Sequence, residues 1–142
     1  MGDYMKIGTT IIIDSAHRLP KHKGKCANLH GHTYTIKIEL WGDPDPTTGM
    51  LMDFGKIKEV VAKFDHEVLN DLPEFKSIGV GPVPNYPTAE HISQVIVSQI
   101  IELTLTLKDS DIKKIKVRVY EGVKNWAEST AKLIDTGGWV RD

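Results

Sequence analysis

The sequence places its only cysteine and two histidines close together in the segment CANLHGHTYTI, which covers residues 26–36. His30 and His32 are two residues apart, and side chains with this spacing on a β-strand point to the same face. Such a pair can present two ring nitrogens to one metal ion. His17, near the end of the preceding predicted strand, is the best candidate for a third ligand, because the two strands are expected to pair as neighbours. Three imidazoles at about 2.0–2.1 Å from Zn²⁺ would leave a fourth position open for water or substrate.

Cys26 lies four residues before His30, in a predicted loop that also carries Lys23 and Lys25. Positive charges and a nearby dication favour the thiolate over the thiol, which predicts a reactive cysteine. Two alternatives remain open on the residues alone. Cys26 could be a fourth zinc ligand, which would close the site and make it structural. It could also be an inert, buried thiol.

Asp65 and His66 form a second group of chemical interest, late in a predicted helix. A carboxylate beside an imidazole can orient the ring and raise its basicity. Because sequential residues do not face each other in a regular helix, direct pairing requires irregular backbone, or both groups act on a third one. The alternative is a solvated helix face.

Glu121 follows a predicted strand in the segment VRVYEG. Its carboxylate could accept two adjacent N–H groups of a ligand such as a 2-amino-pyrimidinone, with charge-assisted strength, or it could simply be exposed. The basic segment KHKGK at residues 21–25, which includes Lys25, could hold a polyphosphate or form an ordinary solvated loop.

The elements that must position these residues can be predicted from the apolar spacing. Four segments show the pattern of β-strands, at residues 5–19, 32–42, 114–119 and 128–136. Two segments show helical spacing, from an N-cap at Asp53 to about Leu69 and from an N-cap at Thr88 to about Leu107. A long loop is predicted over residues 70–87. The resulting order, ββααββ, predicts an α+β fold with an antiparallel sheet and both helices on one face.

Length and composition narrow the class of protein further. A chain of 142 residues suits a single domain covering residues 1–142. A net charge of −1 gives no strong field for nucleic acid or an anionic membrane, and no apolar run approaches the roughly 20 residues that span a bilayer. The N-terminus has no signal-peptide character, so we expect a cytoplasmic protein, and a single cysteine excludes an internal disulfide.

Six motifs occur in a fixed order with compatible separations: SAHRL, CANLHGH, GMLMDFGKIK, DHEVLND, PTAEH and VYEG. Together they resemble the 6-pyruvoyltetrahydropterin synthase / 6-carboxytetrahydropterin synthase family, over roughly residues 10–122. The C-terminal segment from Gly122 onward matches that family only loosely.

The resemblance implies a role for each candidate residue. His17, His30 and His32 match the zinc ligands of the family. The catalytic residues implied are Cys26, Asp65 and His66. Glu121 matches the glutamate that anchors the pterin, and Thr88 falls in the segment that lines the pterin pocket. Lys25, with Lys21 and Lys23, is a candidate for the triphosphate.

The resemblance also implies the tunnelling fold (T-fold), a four-stranded antiparallel sheet with two helices on one face, assembled into trimers and commonly hexamers with active sites between subunits. The short spacing from Cys26 to His30 favours the carboxy type, which serves 7-deazaguanine (queuosine or archaeosine) biosynthesis. The implied substrate is 7,8-dihydroneopterin triphosphate, and the implied products are 6-carboxytetrahydropterin, acetaldehyde and triphosphate. Three alternatives remain: the pyruvoyl-type reaction on the same substrate, a non-catalytic zinc protein, and a pterin-binding protein without turnover.

Overall fold

A computed structural model describes residues 4–20, 24–76, 86–107 and 111–142. Within these ranges the chain forms one five-stranded antiparallel sheet, with the strands in sequential order. The strands are β1 (Met5–His17), β2 (His30–Asp43), β3 (Asp111–Glu121), β4 (Asn125–Leu133) and β5 (Trp139–Arg141). Two α-helices, α1 (Phe54–Ala62) and α2 (Ala89–Thr106), lie between β2 and β3 in the sequence. Among the described residues, no helix combines the length and apolar character needed to cross a membrane.

The hydrophobic core lies between one face of the sheet and the two helices. Alternate residues of β2 are buried there, from Tyr34 through Leu40, while the residues between them are partly or fully exposed. The helices contribute their apolar stripes, with Ile57 and Val61 of α1 and Ile96 of α2 at 1% exposure or less. This arrangement confirms the predicted layering, because period-two and helical apolar patterns are each satisfied only when the two surfaces face each other.

Both predicted helix N-caps are present. The Asp53 side chain accepts a hydrogen bond from the backbone N–H of Gly55 at 2.8 Å, and the Thr88 hydroxyl accepts one from His91 N–H at 3.2 Å. Each cap satisfies an amide that has no partner inside its helix. The start of each helix could therefore be predicted from local chemistry.

The predicted end of the first helix is wrong. α1 ends at Ala62 rather than near Leu69, and the chain continues in a turn whose amides bond three residues back, from Phe64 to Val61 and from Asp65 to Ala62. The apolar spacing continues past the helix because Phe64 and Leu69 are also buried. They reach the core from this turn and from a 3₁₀ turn, so periodicity alone could not reveal the break.

The C-terminal part of the sheet differs from the prediction in two ways. β4 spans Asn125–Leu133 rather than residues 128–136, and a fifth strand, β5, follows it. β5 has three residues and pairs with the end of β4, where Leu133 lies opposite Trp139. A strand this short carries no alternating pattern, which is why the sequence predicted four strands. Of the predicted loop 70–87, residues 77–85 lie outside the described residues.

Gly42 in β2 sits where the β2–β3 register shifts, and a side chain there would overlap the Asp111 carbonyl oxygen and lie 2.9 Å from Leu51 Cδ1. We predict that Gly42→Ala lowers the free energy of unfolding by about 1–3 kcal/mol, the usual cost of overpacking. Chemical denaturation with the metal-free protein measures the change.

Gly8→Ala is the matched control, because a Cβ at Gly8 in β1 would lie at an ordinary 3.5 Å from the Ile38 carbonyl oxygen. This variant should be close to neutral in stability. If Gly42→Ala and Gly8→Ala lower the free energy of unfolding equally, the close approach at Gly42 is not the cause of the destabilisation.

Candidate metal centre

The pairing of β1 with β2 brings the three predicted metal ligands together. His17 lies directly opposite His30, and Ser15 lies opposite His32, so all three rings project from the core face at one end of the sheet. One nitrogen from each ring can be chosen so that all three lie within 4.8 Å of one another, and His17 Nε2 is 3.0 Å from His30 Nε2. The predicted convergence of three imidazoles from adjacent strands is therefore present in the structure.

Main-chain carbonyl groups fix the tautomers of two of these histidines. His17 Nδ1 lies 2.7 Å from the Pro87 carbonyl oxygen, and His30 Nδ1 lies 2.7 Å from that of Asn28. A carbonyl oxygen can only accept, so each Nδ1 carries the proton and each neutral ring presents its Nε2 lone pair. Two lone pairs that face each other repel unless a cation lies between them. The donor set therefore fits a metal ion that takes neutral imidazole, with zinc as a typical occupant.

Glu121 adds a negative charge to the centre. It ends β3 opposite Tyr34, and its Oε1 lies 3.3 Å from His17 Nε2 and 3.1 Å from His32 Nε2. In the metal-free site the contact with His17, and then the nearby imidazole rings, lower the pKa of the Glu121 carboxyl when those rings carry a proton towards it, despite its partial burial. Burial lowers the pKa of His32, against the opposing effect of Glu121. Both shifts favour ionised carboxylate beside neutral imidazole, which are the forms that bind a metal ion.

Tyr34 is a component of the site that was not predicted from the sequence. The side chain is fully buried, and its hydroxyl lies 3.2 Å from His17 Nδ1. Burial raises the pKa of Tyr34 far above its ordinary value, so the phenol stays protonated. Its position two residues after His32, on the same strand face, was the signal that could have identified it.

Cys26 lies in a 3₁₀ turn, Lys25–Ala27, that precedes β2. Its side chain is partly exposed, and its carbonyl oxygen accepts a hydrogen bond from Leu19 N–H at 2.8 Å. Among the described residues, the group able to share one ion comprises the three histidines without the thiol. This geometry disfavours the alternative in which Cys26 closes the site as a fourth ligand.

Lys25 is exposed, whereas Lys21 and Lys23 lie outside the described residues.

Asp65 and His66 lie in the turn after α1, not in the helix. His66 adopts a left-handed conformation with φ of 57°, so the irregular backbone that direct pairing would require is present. Nevertheless, the closest approach between the Asp65 carboxylate and the His66 ring is 3.7 Å, too long for a hydrogen bond. His66 and His32 line the same open depression of about 540 Å³. Within the described ranges, no hydrogen bond joins His66 to Cys26 or to the three metal-site histidines.

Thr88 lies near the metal centre, because it belongs to the segment that leads into α2 and that contacts His17. Its hydroxyl caps that helix, and the carbonyl group of the preceding residue, Pro87, orients His17. The structure therefore places the predicted pocket-lining segment beside the histidines. The hydrogen bonds at Pro87 and Asn28 come from main-chain groups, so no side-chain signal in the sequence could have identified them.

The sequence profile of 6-pyruvoyl tetrahydropterin synthase matches residues 6–132. A Haemophilus influenzae protein named 6-carboxy-5,6,7,8-tetrahydropterin synthase is 30% identical, with the match covering 87% of this chain and 96% of that protein. An Archaeoglobus fulgidus protein that carries the same name provisionally is 36% identical over 132 residues, covering 90% of this chain and 97% of that protein. The match to the family profile includes every candidate ligand, from His17 to Glu121.

The solved 6-pyruvoyl tetrahydropterin synthase of Caenorhabditis elegans superposes with a TM-score of 0.67 at 26% identity, covering 89% of this chain and 94% of that one. The Plasmodium falciparum enzyme gives a TM-score of 0.65 at 22% identity, over 92% and 99% of the two chains, and supports the fold alone. The chain belongs to the 6-pyruvoyl tetrahydropterin synthase family. The family and tunnelling fold predicted from the sequence are confirmed, and the relatives' names support the predicted 6-carboxytetrahydropterin synthase function.

We predict that His32 in the metal-free protein titrates below the ordinary imidazole pKa of 6.5, because burial disfavours the charged ring. Glu121→Gln should lower the pKa of His32 further, since it removes the carboxylate that favours the imidazolium. Histidine NMR titration measures both values. Glu59→Gln, on the exposed side of α1, is the control and should leave His32 unchanged. A pKa of His32 above 6.5, or one insensitive to Glu121→Gln, would contradict this account of the centre.

Proposed function

We propose that this chain is a zinc-dependent 6-carboxy-5,6,7,8-tetrahydropterin synthase, a lyase that converts 7,8-dihydroneopterin triphosphate to 6-carboxytetrahydropterin, acetaldehyde and triphosphate. The observation that carries the proposal is the convergence of His17, His30 and His32 beside Glu121 in a chain of this family. The short spacing from Cys26 to His30 and the names of the relatives support the carboxy type. We assign this reaction to 7-deazaguanine biosynthesis in the cytoplasm. We also propose that the chain forms a single domain.

His17, His30 and His32 would hold the zinc ion through ring nitrogens, since Nδ1 of His17 and of His30 is turned towards a carbonyl oxygen and Nε2 of each ring towards the centre. When bound, zinc supplies a Lewis acid that polarises the hydroxyl groups of the substrate side chain. The Pro87 and Asn28 carbonyl groups keep two of the rings in the ligating orientation. Outer hydrogen bonds of this kind commonly strengthen metal affinity.

The remaining roles belong to residues around the centre. Glu121 accepts hydrogen bonds from the two adjacent N–H groups of the pterin edge, which requires its carboxylate to turn from the histidine rings towards the ligand. Thr88 lines the pterin pocket. Cys26 removes a proton from the substrate side chain as a thiolate, and His66, supported by Asp65, exchanges a proton on the opposite side. Lys25 contacts the triphosphate as a point charge.

Among the described residues no hydrogen bond joins Cys26 to His66, and we propose that the assembly of several subunits brings the two groups together. His66 lies at the outer edge of β1, where its backbone amide bonds the Asp14 carbonyl group at 2.7 Å. The other edge of β1 pairs with β2, so the turn that carries His66 lies at the edge of the sheet, where a second subunit could reach the depression that His66 and His32 line. We propose a trimer, or a hexamer of two trimers, in which His66 of one subunit completes the site that contains Cys26 of another.

A second candidate is the pyruvoyl-type reaction, in which triphosphate is eliminated and all three side-chain carbons are kept. It is favoured by the superposition on the Caenorhabditis elegans 6-pyruvoyl tetrahydropterin synthase. The non-catalytic zinc protein is less well supported, because the thiol does not join the histidines that could share an ion. A pterin-binding protein without turnover would retain Glu121 and bind the substrate unchanged.

Incubation of the zinc-loaded protein with 7,8-dihydroneopterin triphosphate should release acetaldehyde and triphosphate together with 6-carboxytetrahydropterin. Mass analysis of the pterin product and an enzymatic assay for acetaldehyde measure the outcome. A product that keeps all three side-chain carbons would instead identify the pyruvoyl type. Recovery of the intact substrate from a zinc-loaded protein would refute the catalytic proposal.

We predict that Cys26→Ala and His66→Ala each lower turnover by about 100-fold or more, because each removes a proton-transfer group, and that both variants retain zinc. Metal analysis of the purified variants measures their zinc content. His30→Ala, which removes a proposed ligand, is the control that should lose zinc. Loss of zinc in Cys26→Ala would show that the cysteine is a ligand.

Mixing these two inactive variants tests the shared site. After joint refolding, about one quarter of the sites in a random mixture combine a native Cys26 with a native His66 from a neighbouring subunit. Activity should therefore return to about one quarter of the wild-type value. If the mixture stays inactive while its subunits exchange, Cys26 and His66 act within one chain.

A further inference from the structure

The face of the sheet that points away from the helices carries a concentration of positive charge. Side chains at alternate positions of a strand point to opposite faces, so the three metal-site histidines and these charges lie on opposite sides of one sheet. The register aligns the charged positions into three adjacent rows across β1 to β4. We call this surface the basic face, and its basic residues are Lys6, Lys37, Lys114, Lys116, Arg118 and Lys132.

The acidic residues within these rows do not neutralise the basic face. Glu39 forms a salt bridge with Lys6, and Glu128 forms one with Arg118 at 2.9 Å. The whole chain has a formal net charge of −1, so the excess of cations belongs to this face and not to the composition. Among the described residues, the basic side chains of the face that take no part in a salt bridge are Lys37, Lys114 and Lys132.

Two of the cross-strand pairs on the basic face join residues of the same charge. Lys37 lies directly opposite Arg118 in the β2–β3 pairing, and Lys114 lies directly opposite Lys132 in the β3–β4 pairing. Like charges at directly opposite positions of antiparallel strands destabilise a sheet. An anion that lies between such cations would relieve the repulsion, so this arrangement points to an anionic ligand.

Aromatic rings on the same face hold some of these cations. Lys114 Nζ lies 4.9 Å from the centre of the Trp41 ring, and the Arg118 guanidinium lies 3.8 Å from that of Trp126. These cation–π contacts restrict the basic side chains before any ligand arrives, which lowers the entropy cost of binding. A ring covered by a cation offers less surface for stacking a nucleic-acid base, so the contacts favour an inorganic anion.

The dimensions of the basic face suit a short anion. Three rows spaced two residues apart on four strands cover about 14 Å in each direction. Acidic residues lie beyond the rows at both ends, with Asp43 opposite Asp111 at one end and Asp14 at the other. A long polyanion would extend over these carboxylates and be repelled, whereas a short condensed phosphate fits between them.

We propose that the basic face is a binding site for a short condensed phosphate, with inorganic triphosphate as its ligand. Lys37 and Lys114 contact the terminal oxygens as point charges, and Arg118 adds a planar donor group. The choice of triphosphate rests on the proposed function, which releases this anion at the metal centre on the other side of the sheet. The basic face thus binds a product of the reaction away from the place where it is formed.

The binding can be followed by the intrinsic fluorescence of the zinc-loaded protein during titration with sodium tripolyphosphate, because Trp41 and Trp126 belong to the face. We expect saturable binding that weakens as the ionic strength rises, since salt screens exposed charges. Orthophosphate, which carries fewer charges, should bind far more weakly. Tripolyphosphate also binds zinc ions, so the titration is repeated with the metal-free protein and should give the same affinity.

Two double variants with the same change in net charge locate the site. Lys37→Gln/Lys114→Gln should weaken tripolyphosphate binding by about tenfold or more, because each lost charge contact reduces affinity several-fold. Lys56→Gln/Lys58→Gln, on the exposed side of α1, is the matched control and should stay within about twofold of wild type. Tripolyphosphate should raise the Tm of the wild type and of the control more than that of the face variant.

Three outcomes would overturn the proposal. The first is the absence of saturable binding to the wild type, and the second is equal affinity of the two double variants. The third is a single-stranded oligonucleotide that binds the basic face more tightly than tripolyphosphate does. If Lys37→Gln/Lys114→Gln does not fold, Lys37→Gln alone decides: a loss of about threefold or more supports the site, and unchanged affinity overturns it.

Failure of the proposed function would be recognisable separately. The face variant should turn over 7,8-dihydroneopterin triphosphate within about threefold of wild type, because its substitutions lie on the side of the sheet opposite the metal centre. If the wild type does not consume this substrate but binds tripolyphosphate through Lys37 and Lys114, the proposed function fails and the anion site stands. Normal turnover with equal affinity of both double variants gives the reverse conclusion.

Discussion

The antiparallel pairing of β1 with β2 is the constraint on which the candidate site depends. Its register places His17 opposite His30 and, four positions along β1, Ile13 opposite Tyr34, so one set of hydrogen bonds specifies both the metal centre and the adjoining core. A slip of one residue would turn every side chain of one strand to the opposite face. The buried alternation of β2 prevents that slip, because it would expose Ile36 and Ile38 to water. Core packing therefore stabilises the geometry of the ligands.

The parts of the structure that could be predicted from the sequence are those determined by local chemistry or by strict periodicity. The alternation around Ile36 predicted β2, and the two-residue spacing of His30 and His32 predicted a shared direction on that strand. The caps at Asp53 and Thr88 predicted where the helices begin. The placement of His17 required one further assumption, that consecutive strands pair, which is the commonest arrangement for neighbouring strands.

The remaining parts depend on tertiary contacts that leave no regular pattern. The turn at Asp65 and His66 follows a helix whose apolar spacing continues beyond its last residue, because Phe64 and Leu69 are buried from outside the helix. The main-chain carbonyl oxygens of Asn28 and Pro87 accept hydrogen bonds from the histidine rings, so the side chains at these two positions are irrelevant. Asp14 contributes to the turn through its backbone amide and carbonyl groups, which any residue could supply. Such contacts become visible only in coordinates.

The short strand β5 has a consequence for how far a neighbouring chain could slide along this sheet. Residues Ala131–Leu133 of β4 are already paired with β5, and Asp142 N–H occupies the Thr130 carbonyl oxygen at 3.0 Å. Among the residues that the structure describes, the free outer edge of β4 is thus confined to residues 125–129. A strand from another copy that adds to this edge would have to stop where β5 begins, so β5 would set the alignment of the two subunits. Because the unpaired part of this edge is short, it also offers little backbone for unspecific strand addition.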